Sequence, residues 1–311
     1  MVTALYTHPY CLKHRTADVH PDSPERITVI QAQLEKTGTS PFLDFREAPE
    51  ADPQDIVRAH TQDMILDAQN NIPAPGAYYP LGGTMLNEYS WYAALRSVGA
   101  NVAATDAVLR GEISNAFCLV RPLGHHSTMG EAMGFGVFNS VAIAALRALK
   151  VHGLNRVAIV DLDVHHGNGT EDIFSAEKRC MMVSYYQEYL YPFSGNERPR
   201  SHMVNVPVPA GTDGDDIRRV VREQWLPALY AHRPEMIFIS AGFDAHADDP
   251  LGGMNLLAED YAWITRQIMA VADTFSSGRI VSSLEGGYGL RGLAESATAH
   301  IRALARLDKD A

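Results

Sequence analysis

The stretch that decides the fold is Asp161-Leu162-Asp163-Val164-His165-His166-Gly167-Asn168-Gly169-Thr170, which overlaps the end of the apolar run Val157 to Leu162. A short unbroken apolar run rich in β-branched residues has the pattern of a strand covered on both faces. The polar decapeptide is then a strand end, with glycines where the backbone must turn tightly. Working outward, the same layout recurs. Phe117 to Val120 leads into Arg121-Pro122-Leu123-Gly124-His125-His126, Met236 to Ser240 into Ala241-Gly242-Phe243-Asp244, and Ile280 to Leu284 into Glu285-Gly286-Gly287-Tyr288. Met181 to Ser184 is a fifth such run. Helical stretches alternate with them: Trp91 to Arg110, Val137 to Lys150, Asp215 to Ala231, Ala258 to Thr274 and Gly289 to Arg306, with Gly111 and Gly153 as C-terminal stops. This alternation predicts an α/β fold of three αβα layers around a mainly parallel central sheet. No repeat, low-complexity tract or linker divides the chain, so residues 1–311 are expected to form a single domain.

Composition narrows the class. The chain has 311 residues, 46% of them hydrophobic and 20% charged, with 26 Lys+Arg against 37 Asp+Glu and a net charge of −11. That balance excludes a disordered chain and argues against a phosphate-tracking surface, so no direct nucleic-acid partner is expected. No apolar run approaches the ~20 residues of a membrane span. The first residues show neither a basic n-region nor an apolar h-region, so no signal peptide is expected. Cys11, Cys118 and Cys180 lie far apart and read as reduced thiols, which points to a cytoplasmic protein.

The carboxyl ends of parallel strands form the ligand crevice of an open α/β sheet. Four segments distant in sequence therefore deliver Asp, His and Tyr to one rim. Asp163 and His165, at i and i+2, can point toward one ion, and Asp244 from another strand end completes an Asp/His/Asp set. Three protein ligands with a position left over describe a catalytic metal site, and mixed carboxylate and imidazole ligands suit Zn²⁺, Fe²⁺, Co²⁺ or Mn²⁺. Alone, the Asp-x-His pair could merely cap the helix beginning near Gly169. The tandem His125-His126 reads as an acid/base device, one ring taking a proton from an activated water and one giving a proton to a leaving amine. Asp161 and Asn168 are available to orient the rings, and a carboxylate raises a histidine pKa far more than a neutral amide does. Tyr288, after two glycines, could donate its hydroxyl to a substrate oxyanion.

These four segments, in this order, resemble the zinc-dependent histone deacetylase family of the arginase/deacetylase fold. The resemblance begins near His20-Pro21-Asp22-Ser23-Pro24-Glu25-Arg26 and runs past Tyr288. It implies one catalytic zinc held by Asp163, His165 and Asp244, His126 as general base and acid, His125 as an electrostatic partner bonded to Asp161, and Tyr288 as the carbonyl-polarising hydroxyl. Phe135 and Tyr191 match the aromatic walls of an acyl-lysine tunnel, and Arg26 matches an arginine near an internal acetate channel. A structural K⁺ held by Asp161, the backbone carbonyls of Asp163 and His165, and Ser184 is implied as well. Asn168 is similar to the class II branch, Tyr288 matches the catalytically competent members, and Leu251 stands at a gatekeeper position that is Glu in a polyamine-specific relative.

There are departures. Leu123 stands where the family has a second Pro and Ser127 where Ala follows the histidine pair, both beside the catalytic histidines where they bear on acyl-chain fit; Tyr185-Tyr186, where Leu-His follows the serine, bears on the rim of the pocket. The resemblance implies hydrolysis of an N-acyl amide, acetyl-lysine of a peptide or protein before others, with release of acetate. Three rivals stand beside it: an acetylpolyamine amidohydrolase with the same metal and acid/base residues, a two-manganese hydrolase using His246 and Asp248, and a silent acyl-lysine-binding module. A homo-oligomer is common among relatives of bacterial type.

Overall fold

The computed structural model describes residues 2–17, 19–195 and 200–308. Its strands are β1 (Thr3–Thr7), β2 (Leu43–Glu47), β3 (Tyr79–Leu81), β4 (Thr84–Leu86), β5 (Asn115–Cys118), β6 (Val157–Asp161), β7 (Cys180–Gln187), β8 (Met203–Val208), β9 (Met236–Ala241) and β10 (Ile280–Leu284). Its helices are α1 (Tyr10–Lys13), α2 (Glu25–Lys36), α3 (Pro53–Ile56), α4 (Gln62–Asn70), α5 (Ser90–Leu109), α6 (Ser140–Lys150), α7 (Asn168–Ile173), α8 (Gly214–Val220), α9 (Leu226–His232), α10 (Ala258–Phe275) and α11 (Leu290–Leu304). Eight strands form one sheet in the order β2-β1-β5-β10-β9-β6-β7-β8, and every pairing in it is parallel. β3 and β4 make a separate antiparallel hairpin. Helices α2, α10 and α11 pack together in one layer, and α5 and α6 in the other. Among the described residues no helix is long and apolar enough to cross a membrane.

The central strands β6, β9 and β10 are buried along their whole length, which is why they carry no polar alternation. The edge strands escaped the sequence reading because they lack that signature. Leu43-Asp44-Phe45-Arg46-Glu47 has an exposed edge, and β8 carries Pro207, which a central strand would not tolerate. The helix expected over Asp215 to Ala231 is interrupted by a π-turn at Val221–Trp225. Pro227 sits in the first turn of α9 and has no N–H to continue the i→i−4 ladder, so the wider turn takes up the mismatch. Helix α6 starts at Ser140, three residues later than Val137, because Asn139 Oδ1 accepts the Ala142 N–H (3.0 Å) as its cap. The strand expected at Phe117 to Val120 pairs instead over Asn115–Cys118.

Two buried polar groups fix the strand ends in place. Asp22, just before α2, receives Arg26 Nη1 at 2.7 Å, Arg121 Nε at 2.7 Å and Arg121 Nη2 at 2.9 Å, all three residues being fully buried. Arg26 also donates Nε–H to the Gly287 carbonyl (2.6 Å) and Nη2–H to that of Glu285, so the first third of the chain is stapled beneath two strand ends. Burial alone would raise the pKa of Asp22, but the guanidiniums of Arg121 and Arg26 outweigh it and hold the carboxyl well below its usual range. Trp225 stacks on Tyr185 (5.6 Å, 7°) and donates Nε1–H to the Ser184 carbonyl (3.2 Å), locking the other side of the sheet.

Two histidines are buried neutral by the pattern of their hydrogen bonds. His60 donates Nδ1–H to the Thr128 carbonyl (2.8 Å) and accepts the Asn139 N–H at Nε2 (2.9 Å). At His300, Thr265 Oγ1 already donates to the Tyr261 carbonyl (2.6 Å), so Nδ1–H must donate to Thr265 and Nε2 accept from Ser282. Burial pushes His60 down to about 4 and His300 down to about 3. Because the native pKa values are lowered, the unfolded chain takes up protons below ~6.5 that the native chain refuses. The contribution of each ring to stability is therefore flat above about pH 7 and declines below ~6.5, by about 1.4 kcal/mol per pH unit. His300→Gln, which has no ring to titrate, should lose less stability than the wild type in urea between about pH 7 and about pH 5; an equal loss in the two proteins contradicts it. Asp22→Asn, which leaves two buried guanidiniums without their carboxylate, should cost about 3–5 kcal/mol in the same assay, and a change under ~1 kcal/mol removes the staple from the account.

Candidate active site

Strands β10, β9 and β6 are neighbours in the sheet, with Asp161 paired beside Ser240 in register. Their carboxyl ends therefore place Asp163, His165, Asp244 and the 285–288 turn side by side. Backbone amides aim the carboxylates: Asp163 Oδ2 accepts the Gly286 N–H (2.8 Å), Asp163 Oδ1 the His165 N–H (2.9 Å) and Asp244 Oδ1 the Val164 N–H (2.8 Å). His165 Nδ1 then lies 2.9 Å from Asp163 Oδ1 and 3.2 Å from Asp244 Oδ2. One ligand atom from each of the three falls within 4.8 Å of the others, a spacing found in no other group of three His, Cys, Asp or Glu among the described residues. Two carboxylates and one imidazole, with no thiolate, are the donor set of a catalytic rather than a structural divalent site.

The charge balance makes the same point. Burial and the neighbouring Asp163 charge push Asp244 up to about 7. At His165 burial works against the proton, but hydrogen bonds to Asp163 and Asp244 overcome it and raise the ring to about 10. Two carboxylates facing one imidazole nitrogen out of water require a positive charge between them, which a proton or a divalent cation can provide. Gly286 is required at its position, since a Cβ there would collide with the carboxylate oxygens of Asp163 and Asp244.

The histidine pair sits beside this cluster, its rings 4.0 Å apart. His125 Nδ1 is 3.0 Å from Asp161 Oδ2, and its Nε2 is 3.6 Å from Asp163 Oδ2. Burial alone would lower its pKa, but Asp163 and Asp161 outweigh that and raise it well above the imidazole value, so the ring is cationic. His126 donates Nδ1–H to Asn168 Oδ1 (2.8 Å), which leaves the Nε2 lone pair free. Burial, with His125 and His165 as neighbouring cations, lowers its pKa well below the usual value, so it is a neutral acceptor. The carboxylate–amide asymmetry read from Asp161 and Asn168 is present in the geometry.

Above these groups opens a cavity of about 370 Å³, lined by His126, His165, Phe135, Tyr191, Leu251, Tyr288, Leu190, Gly83 and Gly134. Tyr191 meets the His126 ring edge-on at 5.1 Å, and Phe135 meets Tyr288 at 5.9 Å. Gly134 (φ +60°) passes so close to His126 that a Cβ would enter the imidazole. Burial, reinforced by Asp244 and Asp163 and opposed by Arg26, raises the Tyr288 phenol well above 10, so it remains a proton donor. Ser184 donates Oγ–H to Asn205 Oδ1 (2.8 Å) and is paired in register beside Asp161.

Some details of the sequence reading change. Tyr185 and Tyr186 do not reach the rim: Tyr185 donates to the Leu162 carbonyl (2.6 Å) within the core, and Tyr186 to the Gly195 carbonyl (2.8 Å). His246 accepts the Asp248 N–H at Nδ1 (3.1 Å) and Asp248 pairs with Arg291, so neither joins the ligand cluster. Glu285 was missed as a functional residue. Its buried Oε2 accepts the N–H groups of Gly124 (2.8 Å) and His125 (3.1 Å), fixing the loop that carries the histidine pair, and burial pushes it up to about 7. A lone carboxylate closing an apolar strand was its available signal. A larger cavity of about 630 Å³ opens between Thr3, Asn115, Arg279 and Arg306, at the amino ends of the strands, and holds no imidazole.

Because Gly286 leaves room for both carboxylates, Gly286→Ala should abolish binding of a divalent cation while the chain stays folded. Titration calorimetry with zinc should give about one tight site in the wild type and none in the variant. Equal stoichiometry in the two proteins contradicts the assignment.

Comparison with known proteins agrees with this geometry. Residues 20–304 match the family described as Histone deacetylase domain. The chain is 36% identical over 277 residues to a histone deacetylase-like amidohydrolase of Pseudomonas aeruginosa, covering 86% of this chain and 72% of that protein. It is 31% identical over 354 residues to Type-2 histone deacetylase 2 of Dictyostelium discoideum, covering 97% of this chain and only 20% of that longer protein. The crystal structure of the HDA15 HD domain superposes with a TM-score of 0.91 at 33% identity, over 98% of this chain and 88% of that one. The chain therefore belongs to the histone deacetylase family of hydrolases.

Proposed function

We propose that the protein hydrolyses the acetyl amide of lysine side chains in a peptide or protein, releasing acetate, with zinc held by Asp163, His165 and Asp244. The observation that carries this reading is the apolar neck of the cavity, Phe135, Tyr191, Leu190 and Leu251, standing over the ligand cluster with no carboxylate in its wall among the described residues. Such a neck suits the uncharged aliphatic stem of an acylated lysine, whereas a free polyamine carries a second cationic amine that this wall does not match. Zinc, when bound, supplies Lewis acidity toward the amide carbonyl and lowers the pKa of a water.

The rest falls to the chain itself. Phe135 and Tyr191 hold the stem and exclude water. His126 takes the proton of the attacking water at Nε2, the atom its bond to Asn168 leaves free. His125, hydrogen-bonded to Asp161 (3.0 Å), steadies the negative charge that builds beside it, and a protonated histidine gives its proton to the departing amine. Tyr288 donates its hydroxyl to the carbonyl oxygen as charge accumulates. A potassium ion on Asp161, Ser184 and the carbonyls of Asp163 and His165 belongs to the same proposal, supported by the register that sets Asp161 beside Ser184. A reducing, cytoplasmic setting is supported by three buried free cysteines.

Tyr288→Phe should lower kcat roughly 10²-fold, the usual scale for one lost oxyanion donor; an unimpaired variant removes Tyr288 from the mechanism. An acetyl-lysine peptide assayed beside N-acetylputrescine and N-acetylcadaverine should turn over fastest, and Leu251→Glu should shift the ratio toward the polyamines. Faster polyamine turnover by the wild type replaces this reading with that of an acetylpolyamine amidohydrolase.

A further inference from the structure

Asp249 lies five residues beyond Asp244 and two before Leu251, and the residue is 8% exposed. Oδ1 accepts the Leu251 N–H (2.9 Å), and Oδ2 accepts the N–H groups of Tyr288 (2.6 Å) and Gly289 (3.0 Å). One buried carboxylate thus joins the rim residue Leu251 to the backbone of the phenol that faces the same cavity. The loop behind it is tied down in turn: Asp249 N–H donates to the His246 carbonyl (2.9 Å), and His246 N–H to that of Phe243 (3.3 Å). Packing leaves no slack at the other end, because a Cβ on Gly289 would stand 2.6 Å from the Asp248 carbonyl oxygen. No side chain donates a hydrogen bond to Asp249 among the described residues; its bonds run to backbone amides that an uncharged side chain could not all satisfy.

We propose that Asp249 is a positioning residue that makes the rim at Leu251 and the phenol of Tyr288 one mechanical unit, so that the wall gripping the substrate stem and the donor to its carbonyl keep a fixed spacing. This rests on the hydrolytic role given to Tyr288 above. Asn at this position offers one acceptor oxygen and turns an NH₂ group toward backbone donors, so one half of the link must break. A shift of the phenol on the order of 1 Å is enough to lose up to ~10²-fold in rate.

The test is a double-mutant cycle on the zinc-loaded enzyme with an acetyl-lysine peptide, reading kcat and KM separately. Asp249→Asn should lower kcat about 10-fold or more and raise KM, with zinc content unchanged. In a Tyr288→Phe background the same change should lower kcat less than ~2-fold, because the group it positions is already gone. Losses that multiply across the cycle, or a wild-type kcat in the single variant, overturn the proposal and leave Asp249 a turn-forming residue. Absence of turnover by the wild type on the peptide and on both N-acetylpolyamines overturns the hydrolase reading and this inference together. If Asp249→Asn does not fold, Asp249→Glu, which keeps both oxygens but displaces them by a methylene, takes its place in the cycle.

Discussion

The carboxylates of Asp163 and Asp244 are buried next to each other, and the architecture is arranged around that unfavourable pairing. Like charges out of water cannot both persist unless positive charge is placed between or beside them. The fold meets this demand with three adjacent parallel strands whose ends supply two aspartates, an imidazole and a glycine that lets both carboxylates approach. Amide N–H groups of Gly286, Val164 and His165 hold the oxygens in fixed directions. What remains is a cluster that must share a proton or coordinate a cation.

The same surplus of negative charge sets the two histidines apart. His125 leans on Asp161 and Asp163 and stays protonated; His126 leans on an amide, feels the neighbouring cations and stays neutral. Acid and base are thereby separated by second partners, not by differences between the rings. Buried carboxylates recur one layer further out with another use. Glu285 binds the backbone before the histidine pair, Asp249 the backbone at Tyr288, and Asp22 the two arginines beneath. Each ties together segments far apart in sequence, which is how loops at the rim hold their spacing without a dedicated secondary structure.

Much of this was legible in the chain. Residues 157–162, 236–240 and 280–284 announce buried parallel strands because they are short, rich in apolar residues and free of polar alternation, and the polar residues after them announce a rim. Asp161, Asp163, His165, Asn168, Asp244 and Tyr288 all arrive at that rim, with Phe135, Tyr191 and Leu251 around its mouth. Edge strands β2 and β8 were not legible, since one-sided or proline-bearing edges lack an unbroken apolar run. Glu285 and Asp249 were not legible as positioning groups, because their partners are backbone amides and a sequence does not state which amides lie nearby. The effect of Tyr185-Tyr186 was misplaced for a related reason: strand alternation alone does not say which loop covers a side chain.

The most direct measurement is X-ray diffraction from crystals grown with zinc, with anomalous data collected at the zinc absorption edge. The account predicts one strong anomalous peak among Asp163, His165 and Asp244, about 2.0–2.2 Å from the coordinating nitrogen and oxygen atoms. A peak elsewhere, or none at that position with zinc in excess, contradicts the shared-cation site on which the hydrolase reading stands.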